Sequence, residues 1–452
     1  MTARHARIAA ELQARWPENR VAPSLGRIQA LCDLLGSPQR GYPVIQVAGT
    51  NGKGSTAIMI DSLLRALGLR VGRNSSPHLE DLTERIAIDG APIDPERFDE
   101  LVADVMPLVT MVDERAIDGV AMTFFEVMTA LAYEAFAQAP VDVAVIEVGL
   151  GGTWDATSVA DAEVAVVCPV DFDHTHLLGD TLEQIASEKA GIIKPGCVAV
   201  LAAQQPAAAS VLIARCAEVG VPVRLDGVDF GLLDRQPAVG GQLLRLDTAS
   251  GPVGDLFLPL FGEHMARNAA LAVAAVEAFL GGRTPAPDVV AEGLAQVVAP
   301  ARLELVRSSP PIVIDTCHNP HGVRATLAAM SESFAFAPLI GVVAMMADKD
   351  VSGVLDLLAD ELQTIVVTAP SGSTRALPPA DLAAKAAEAF GPDRVVVAAT
   401  VVEAIETAVR LADEAGPGSG VLIAGSVVLA GEARSLLHLM SDGCLKGERS
   451  DQ

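Results

Sequence analysis

Aromatic residues are scarce in this 452-residue chain, which has two Trp, two Tyr and 12 Phe. That excludes a bulky aromatic platform and leaves Ala, Val and Leu to carry the interior. With 50% of residues hydrophobic, the chain can still bury a sizeable core. Excess positive charge is also missing. A formal net charge of −25 sets up a mean field that repels phosphate, which excludes non-specific binding to nucleic acid or to an anionic membrane. An anionic substrate must then be held by local devices: helix N-termini, a metal ion, or a few placed Lys and Arg. Cys32, Cys168, Cys197, Cys216, Cys317 and Cys444 are scattered with no CxxC pair. They read as reduced thiols of a cytoplasmic protein. The N-terminal stretch MTARHARIAAELQARWPENR is charged and helix-like and lacks the apolar segment of a signal peptide. Gly196 to Ala214 is uncharged, but Gln204, Gln205, Pro206 and Ser210 interrupt it, so it reads as strand, turn and helix and not as a membrane span.

What is present is alternation. PVIQVAG (Pro43–Gly49), VDVAVIEVG (Val141–Gly149) and AEVAVVCPV (Ala162–Val170) are continuous Val/Ile runs of the kind buried on both faces of a parallel sheet, with helical patterns between them. The expected fold is α/β with right-handed crossovers. A second series of strand-like runs begins at Pro311, Pro338, Thr364, Arg394 and Gly420. The length suits two domains. The boundary is expected near Val298–Arg302, which gives a larger unit over 1–298 and a smaller doubly wound unit over 299–452.

The segment from Val47 to Thr56, VAGTNGKGST, joins a predicted buried strand to a predicted helix. Gly49, Gly52 and Gly54 let the backbone turn and approach an anion. The N–H groups of the turn and of the helix N-terminus can then cradle polyphosphate, and Lys53 adds charge for the outer phosphates. The pattern departs from GxxxxGK[ST]: Val47 stands where the first glycine belongs, and Gly54 follows the lysine. The bland alternative is a glycine-rich turn with no ligand.

Glu147 ends one buried strand, and DFDHTH, containing His174 and His176, follows the next. Ligands of open α/β sheets gather beyond the carboxyl ends of strands. Glu147 and His174 can thus converge on one ion, and beside nucleoside phosphate the ion expected is Mg²⁺. Zinc is the alternative that a His/Asp run raises. A hydroxyl from Ser75-Ser76-Pro77-His78 can complete the shell, although alone that run is only a turn. Lys189, near a predicted helix end, reads by itself as a solvated surface lysine.

Taken together, GTNGKGST, SSPHL, IEVGLGG, DHTHLLG, SEKAGIIKPG, GEHMARNAALAVAA, ARLE, DTCHNPHG and ADKD occur in this order from about residue 20 to 435 and resemble the folylpolyglutamate synthase and dihydrofolate synthase family, within the Mur ligase superfamily. The resemblance implies an N-terminal P-loop ATPase domain, a C-terminal Rossmann-like domain and an active site between them. It implies ATP contacts at Asn51, Gly52, Lys53, Gly54, Ser55, Asn268, Arg302 and Asp315. Ser76, Glu147 and His174 would hold Mg²⁺, and Lys189 matches a lysine that the family carbamylates to help hold a second Mg²⁺. Pterin or folate contacts fall at Leu25, Gly26, Arg27 and Ile28, at Thr123, Phe124, Phe125 and Glu126, and at Trp154, Asp155 and Ala156. His318 and Ser426 fall where the incoming glutamate is handled, and Lys53, Lys189 and His318 make up the catalytic set. Thr153 departs from the family, many of whose members carry Arg there, and Trp154 is also unusual at its place.

The expected reaction is ATP-dependent ligation of L-glutamate to folate, and also to dihydropteroate, through an acyl phosphate with release of ADP and phosphate. The chain is expected to be a cytoplasmic monomer whose partners are ATP, glutamate and dihydropteroate or reduced folate. Two rival readings stand beside this one: a Mur-type amino-acid ligase acting on a nucleotide-linked muramyl substrate, and a P-loop switch that binds nucleotide and signals by conformation.

Overall fold

A computed structural model describes residues 2–16, 22–373 and 375–447. The chain forms two compact units. The first comprises Met1–Gln236, Leu243–Pro259 and Met265–Val297; the second comprises Pro237–Gln242, Leu260–His264 and Val298–Gln452. The main division falls between Val297 and Val298, after the helix Pro287–Ala295 has closed.

The Val/Ile runs form the expected strands. The first unit holds β1 (Val44–Ala48), β2 (Val71–Asn74), β3 (Ile86–Ile88), β4 (Ala91–Pro92), β5 (Val143–Glu147), β6 (Val164–Val167), β7 (Val198–Leu201) and β8 (Val223–Leu225). They make one eight-stranded sheet in the order β4-β3-β2-β5-β1-β6-β7-β8. From β2 to β8 the pairs are parallel, and every residue of β1 and β5 is buried, as strands covered on both faces require. β3 and β4 add an antiparallel hairpin at one edge. Its turn is Asp89-Gly90, both at positive φ (53° and 83°), the backbone that a two-residue hairpin needs. A three-stranded sheet of β9 (Gly231–Ala238), β10 (Gly241–Asp247) and β11 (Val253–Leu258) follows, in the order β11-β10-β9.

The second unit is built on β12 (Glu304–Ser308), β13 (Pro311–Ile314), β14 (Leu339–Val343), β15 (Thr364–Val367), β16 (Val395–Val397) and β17 (Gly420–Ala424). The order is β12-β13-β17-β14-β15-β16, all parallel except β12. Helices cover the sheet, and the core includes Val313, Val343, Leu355, Ile365 and Leu422. Cys32, Cys168, Cys197, Cys216 and Cys317 are buried free thiols. Among the described residues no helix is long and apolar enough to cross a membrane.

Candidate active site

The sheet order decides where the chemistry-bearing segments meet. β1 lies between β5 and β6, with Val47 opposite Glu147 and Ala48 opposite Val167. The loop after β1, the end of β5 and the segment after β6 therefore share one sheet edge. Gly49 (φ 143°) passes so close to Cys168 that a Cβ there would sit 2.6 Å from the Cys168 Cβ. Gly52 (φ 86°) caps the helix Lys53–Ala66, and a Cβ on it would come within 2.9 Å of Asn268 Oδ1. Asn268, far off in sequence, thus presses its carboxamide on the turn. Thr50 anchors the loop to the β6 segment: its N–H donates to Pro169 O (2.9 Å), and its hydroxyl donates to Asp171 O (2.9 Å). Lys53 Nζ donates to the carbonyls of Gly49 and Thr50, both at 3.2 Å. Ser55 and Thr56 are buried, whereas Asn51 to Gly54 remain partly open.

Lys189 ends the helix Leu182–Lys189, but it is not a solvated lysine. It is 4% exposed, and its Nζ donates to Gly49 O at 2.8 Å. That overturns the reading of Lys189 as a surface residue: the fold carries the helix end over the loop. Two amino groups now share one carbonyl. Burial first, and then the charge of Lys53, pull the Lys189 pKa down to about 7, against the opposing pull of Asp173 and Asp155. A neutral amine is therefore well populated near neutrality.

On the other flank Glu147 is 5% exposed, and its Oε2 accepts the N–H of Ser76 at 3.1 Å. Ser75 is otherwise engaged. Its hydroxyl accepts from Arg73 Nη1 (3.0 Å) and faces Glu84 O (3.5 Å), so Ser76 is the hydroxyl of the pair left for the Glu147 corner. His174 takes a left-handed backbone (φ 50°) at the start of the one-turn helix Thr175–Leu178. Its N–H is held by Asp173 Oδ1 at 2.8 Å, and its Nε2 lies 3.9 Å from the same oxygen. A carboxylate, a hydroxyl and an imidazole beside a phosphate loop suit Mg²⁺, which takes few protein ligands and prefers oxygen. Zinc needs three or four protein ligands, and among the described residues no three His, Cys, Asp or Glu side chains gather into such a set.

The remaining residues of the first unit divide by what they touch. Arg27, 1% exposed, directs Nε at both carboxylate oxygens of Glu126 (3.0 and 3.1 Å). Glu126 also closes a capping box with Thr123, accepting its N–H at 2.7 Å. Asp155 is buried and accepts from the N–H groups of Leu150 (2.8 Å) and Thr157 (2.9 Å); burial raises its pKa. Ile28 and Ala156 are core. These residues spend their polar atoms on holding the wall together. The Phe125 ring lies where a Gly149 Cβ would be, 2.5 Å away, and Trp154 borders Gly151. Phe124 stacks under the Arg85 guanidinium at 5.0 Å, and Arg85 Nε in turn donates to His78 Nδ1 at 2.9 Å. Leu25 and Gly26 open the helix Gly26–Leu34 nearby.

The second unit gathers its expected residues at the carboxyl ends of the adjacent strands β13 and β17. Asp315, 4% exposed, accepts from Leu303 N (3.0 Å), Cys317 N (2.8 Å) and Thr326 Oγ1 (3.0 Å). Through Leu303 it fixes the turn that carries Arg302, whose neighbours Ala301 and Leu303 are both left-handed (φ 53° and 50°). Strain of that kind persists only where surroundings enforce it. His318 Nδ1 meets Thr316 O at 3.0 Å, and Ser426 caps its helix by accepting Leu429 N at 3.0 Å. Sequence reasoning missed Arg73, Arg85 and Asp173, which engage Asp61 and Ser75, His78 and Phe124, and the His174 N–H respectively.

Residues 301–427 match the family described as Mur ligase, glutamate ligase domain. Over nearly its whole length the chain is 47% identical to the dihydrofolate synthase/folylpolyglutamate synthase of Mycobacterium tuberculosis, with 94% of this chain and 92% of that protein covered. The chain belongs to the folylpolyglutamate synthase and dihydrofolate synthase family. As a member of it, the protein is an ATP-dependent ligase with the family's two-domain α/β fold. A solved Mycobacterium tuberculosis folylpolyglutamate synthase complexed with ADP superposes with a TM-score of 0.93 at 47% identity, covering 96% of this chain and 98% of the other. A folylpolyglutamate synthase in complex with AMPPCP and folate gives 0.84 at 33% identity, covering 96% and 99%.

Proposed function

We propose that this ligase joins L-glutamate to folate, and also to dihydropteroate, by way of an acyl phosphate. The observation that carries the proposal is the Gly49 carbonyl shared by Lys53 and Lys189, one strand away from the Glu147–Ser76 corner. A substrate carboxylate is a poor acyl donor. Attack of one of its oxygens on the γ-phosphorus of ATP forms the acyl phosphate and expels ADP. The amine of glutamate then attacks the activated carbonyl, the amide bond forms, phosphate leaves with the oxygen, and the amine loses a proton to solvent. Little of this is covalent work for the protein; positioning and charge neutralisation dominate.

The loop N–H groups from Asn51 to Ser55 orient the phosphates, and Lys53 offsets charge on the transferring phosphoryl group. Ser76, Glu147 and His174 would hold Mg²⁺, which when bound neutralises outer phosphate oxygens. Lys189, whose amine is about half neutral near pH 7, is set to take up CO₂ as a carbamate, whose carboxylate would serve a second Mg²⁺. Asn268, Arg302 and Asp315 serve ATP, with Asp315 acting through the Arg302 turn. Phe125 and Trp154 border the pterin, while Arg27, Glu126 and Asp155 stiffen the wall behind them. His318 and Ser426 serve glutamate; the Ser426 oxygen accepts from the helix and keeps its own O–H to donate.

The test is ADP release with dihydropteroate and with reduced folates in parallel, each with and without glutamate. Release that requires both glutamate and a pteroate or folate is expected. ADP release without either, or with a nucleotide-linked muramyl acceptor only, would overturn the proposal.

A further inference from the structure

Asp61 stands eight residues after Lys53 on the helix that begins at the phosphate loop, ~12 Å along its axis. Its side chain is 2% exposed and faces two guanidinium groups. Arg65, one turn on, lies at 3.3 Å from Oδ1, and Arg73, from β2, lies at 3.4 Å from Oδ2. Arg73 continues to the Ser75 hydroxyl at 3.0 Å, and the next residue, Ser76, donates its N–H to Glu147. One unbroken line of polar contacts therefore joins the phosphate-loop helix to the turn beside Glu147.

Stability alone is a poor reason for this line. Withdrawing a carboxylate and a guanidinium from water costs more than a loose pair returns, and apolar residues of similar volume commonly stabilise as well or better. The pair is loose: Arg73 Nε is shielded from water, yet its contact with Asp61 is not a well-formed hydrogen bond. What an apolar pair cannot supply is a directional grip on Ser75. That grip holds one hydroxyl of the Ser75-Ser76 pair to the protein and leaves the other for the Glu147 corner.

We propose that Asp61 and Arg73 are positioning residues that hold the Ser75–Ser76 turn in register with the phosphate-loop helix and so set the affinity for the divalent cation that accompanies nucleotide. This rests on the reading of Ser76 and Glu147 as cation ligands. Residues that orient metal ligands without touching the metal typically govern ten- to a hundredfold in metal affinity.

The experiment measures ADP binding by calorimetry with and without Mg²⁺, together with thermal unfolding, in the wild type, the double variant D61L/R73M and Ser75→Ala. The double variant should unfold within a few degrees of the wild type and bind metal-free ADP unchanged. The tightening of ADP by Mg²⁺ should fall about tenfold, and Ser75→Ala, which cuts only the last link, should show the same loss. If Ser75→Ala tightens ADP with Mg²⁺ as the wild type does, the positioning role is wrong, whether or not the double variant folds. If wild-type ADP binding is indifferent to Mg²⁺, the cation reading itself falls and this inference falls with it.

Discussion

Lys189 carries the most exposed prediction. A lysine in water titrates at 10.5, and here burial and the neighbouring Lys53 bring it to about 7. The interval corresponds to about 5 kcal/mol of preference for the neutral amine over the ammonium. At pH 6, 7 and 8 the neutral fraction is then about one-tenth, one-half and nine-tenths. Only the neutral amine reacts with CO₂, forming a carbamate and releasing a proton. The product places an anion beside the Lys53 ammonium, where two amino groups had shared one carbonyl. Enzyme stripped of CO₂ and returned to a fixed dissolved CO₂ concentration should recover ADP release at a rate that follows the neutral fraction, half-maximal near pH 7. Protein ¹³C NMR in labelled bicarbonate should show one carbamate resonance, absent in Lys189→Met. A midpoint above pH 9 would mean that Lys189 behaves as a solvated amine and that burial over the loop does not govern it.

The same shift fixes a stability trend. Between about pH 7 and 10.5 the unfolded chain holds a proton on Lys189 that the folded chain does not. Stability from this group therefore rises with pH across that window and is flat below it. Lys189→Met should raise the unfolding temperature at pH 7 while turnover is lost, and a lower unfolding temperature there would contradict the sign.

Lys53→Ala should cut turnover a hundredfold or more, about 3 kcal/mol, with the unfolding temperature unchanged; ADP-release kinetics and calorimetry check both halves. Gly52→Ala places a Cβ 2.9 Å from Asn268 Oδ1 at a φ of 86° and should weaken ATP binding more than it weakens the fold, as nucleotide titration would show. Glu126→Gln leaves Arg27 buried beside a neutral amide and should cost about 3–5 kcal/mol in denaturant unfolding, with Arg27→Met/Glu126→Leu together recovering much of it.

Much of the fold was legible because buried parallel strands are written as continuous Val/Ile runs, and β1, β5 and β6 fell inside theirs. Their order was not legible: nothing local says that β1 inserts between β5 and β6. That insertion is what brings Glu147 and the 168–176 segment to the loop. The β3–β4 hairpin carries a readable signal in Asp89-Gly90, the residue pair that a two-residue turn favours. β12 had none of that quality, since its residues are half-buried at an edge. The phosphate loop was legible because glycines and a lysine at fixed offsets have few other uses.

Charge shows the same limit more sharply. The family resemblance makes Arg27, Glu126, Asp155 and Asp315 substrate or ATP contacts, and in the fold each also spends its charge on neighbouring protein groups. Lys189, solvent-facing by its local pattern alone and catalytic by resemblance, is buried against the loop. A charged residue in a motif tells that its position matters, but not whether it acts on the ligand or on the wall that holds the ligand. Only the partner settles that, and the linear pattern does not name the partner: Gly49 for Lys189, Arg27 for Glu126, Leu150 for Asp155, Leu303 for Asp315. Removing a wall charge leaves its partner buried and unmatched, so the loss registers first as unfolding; removing Lys53 leaves the wall intact, so the loss registers as turnover. The ratio of lost stability to lost activity, taken position by position, therefore separates the two classes where the sequence cannot.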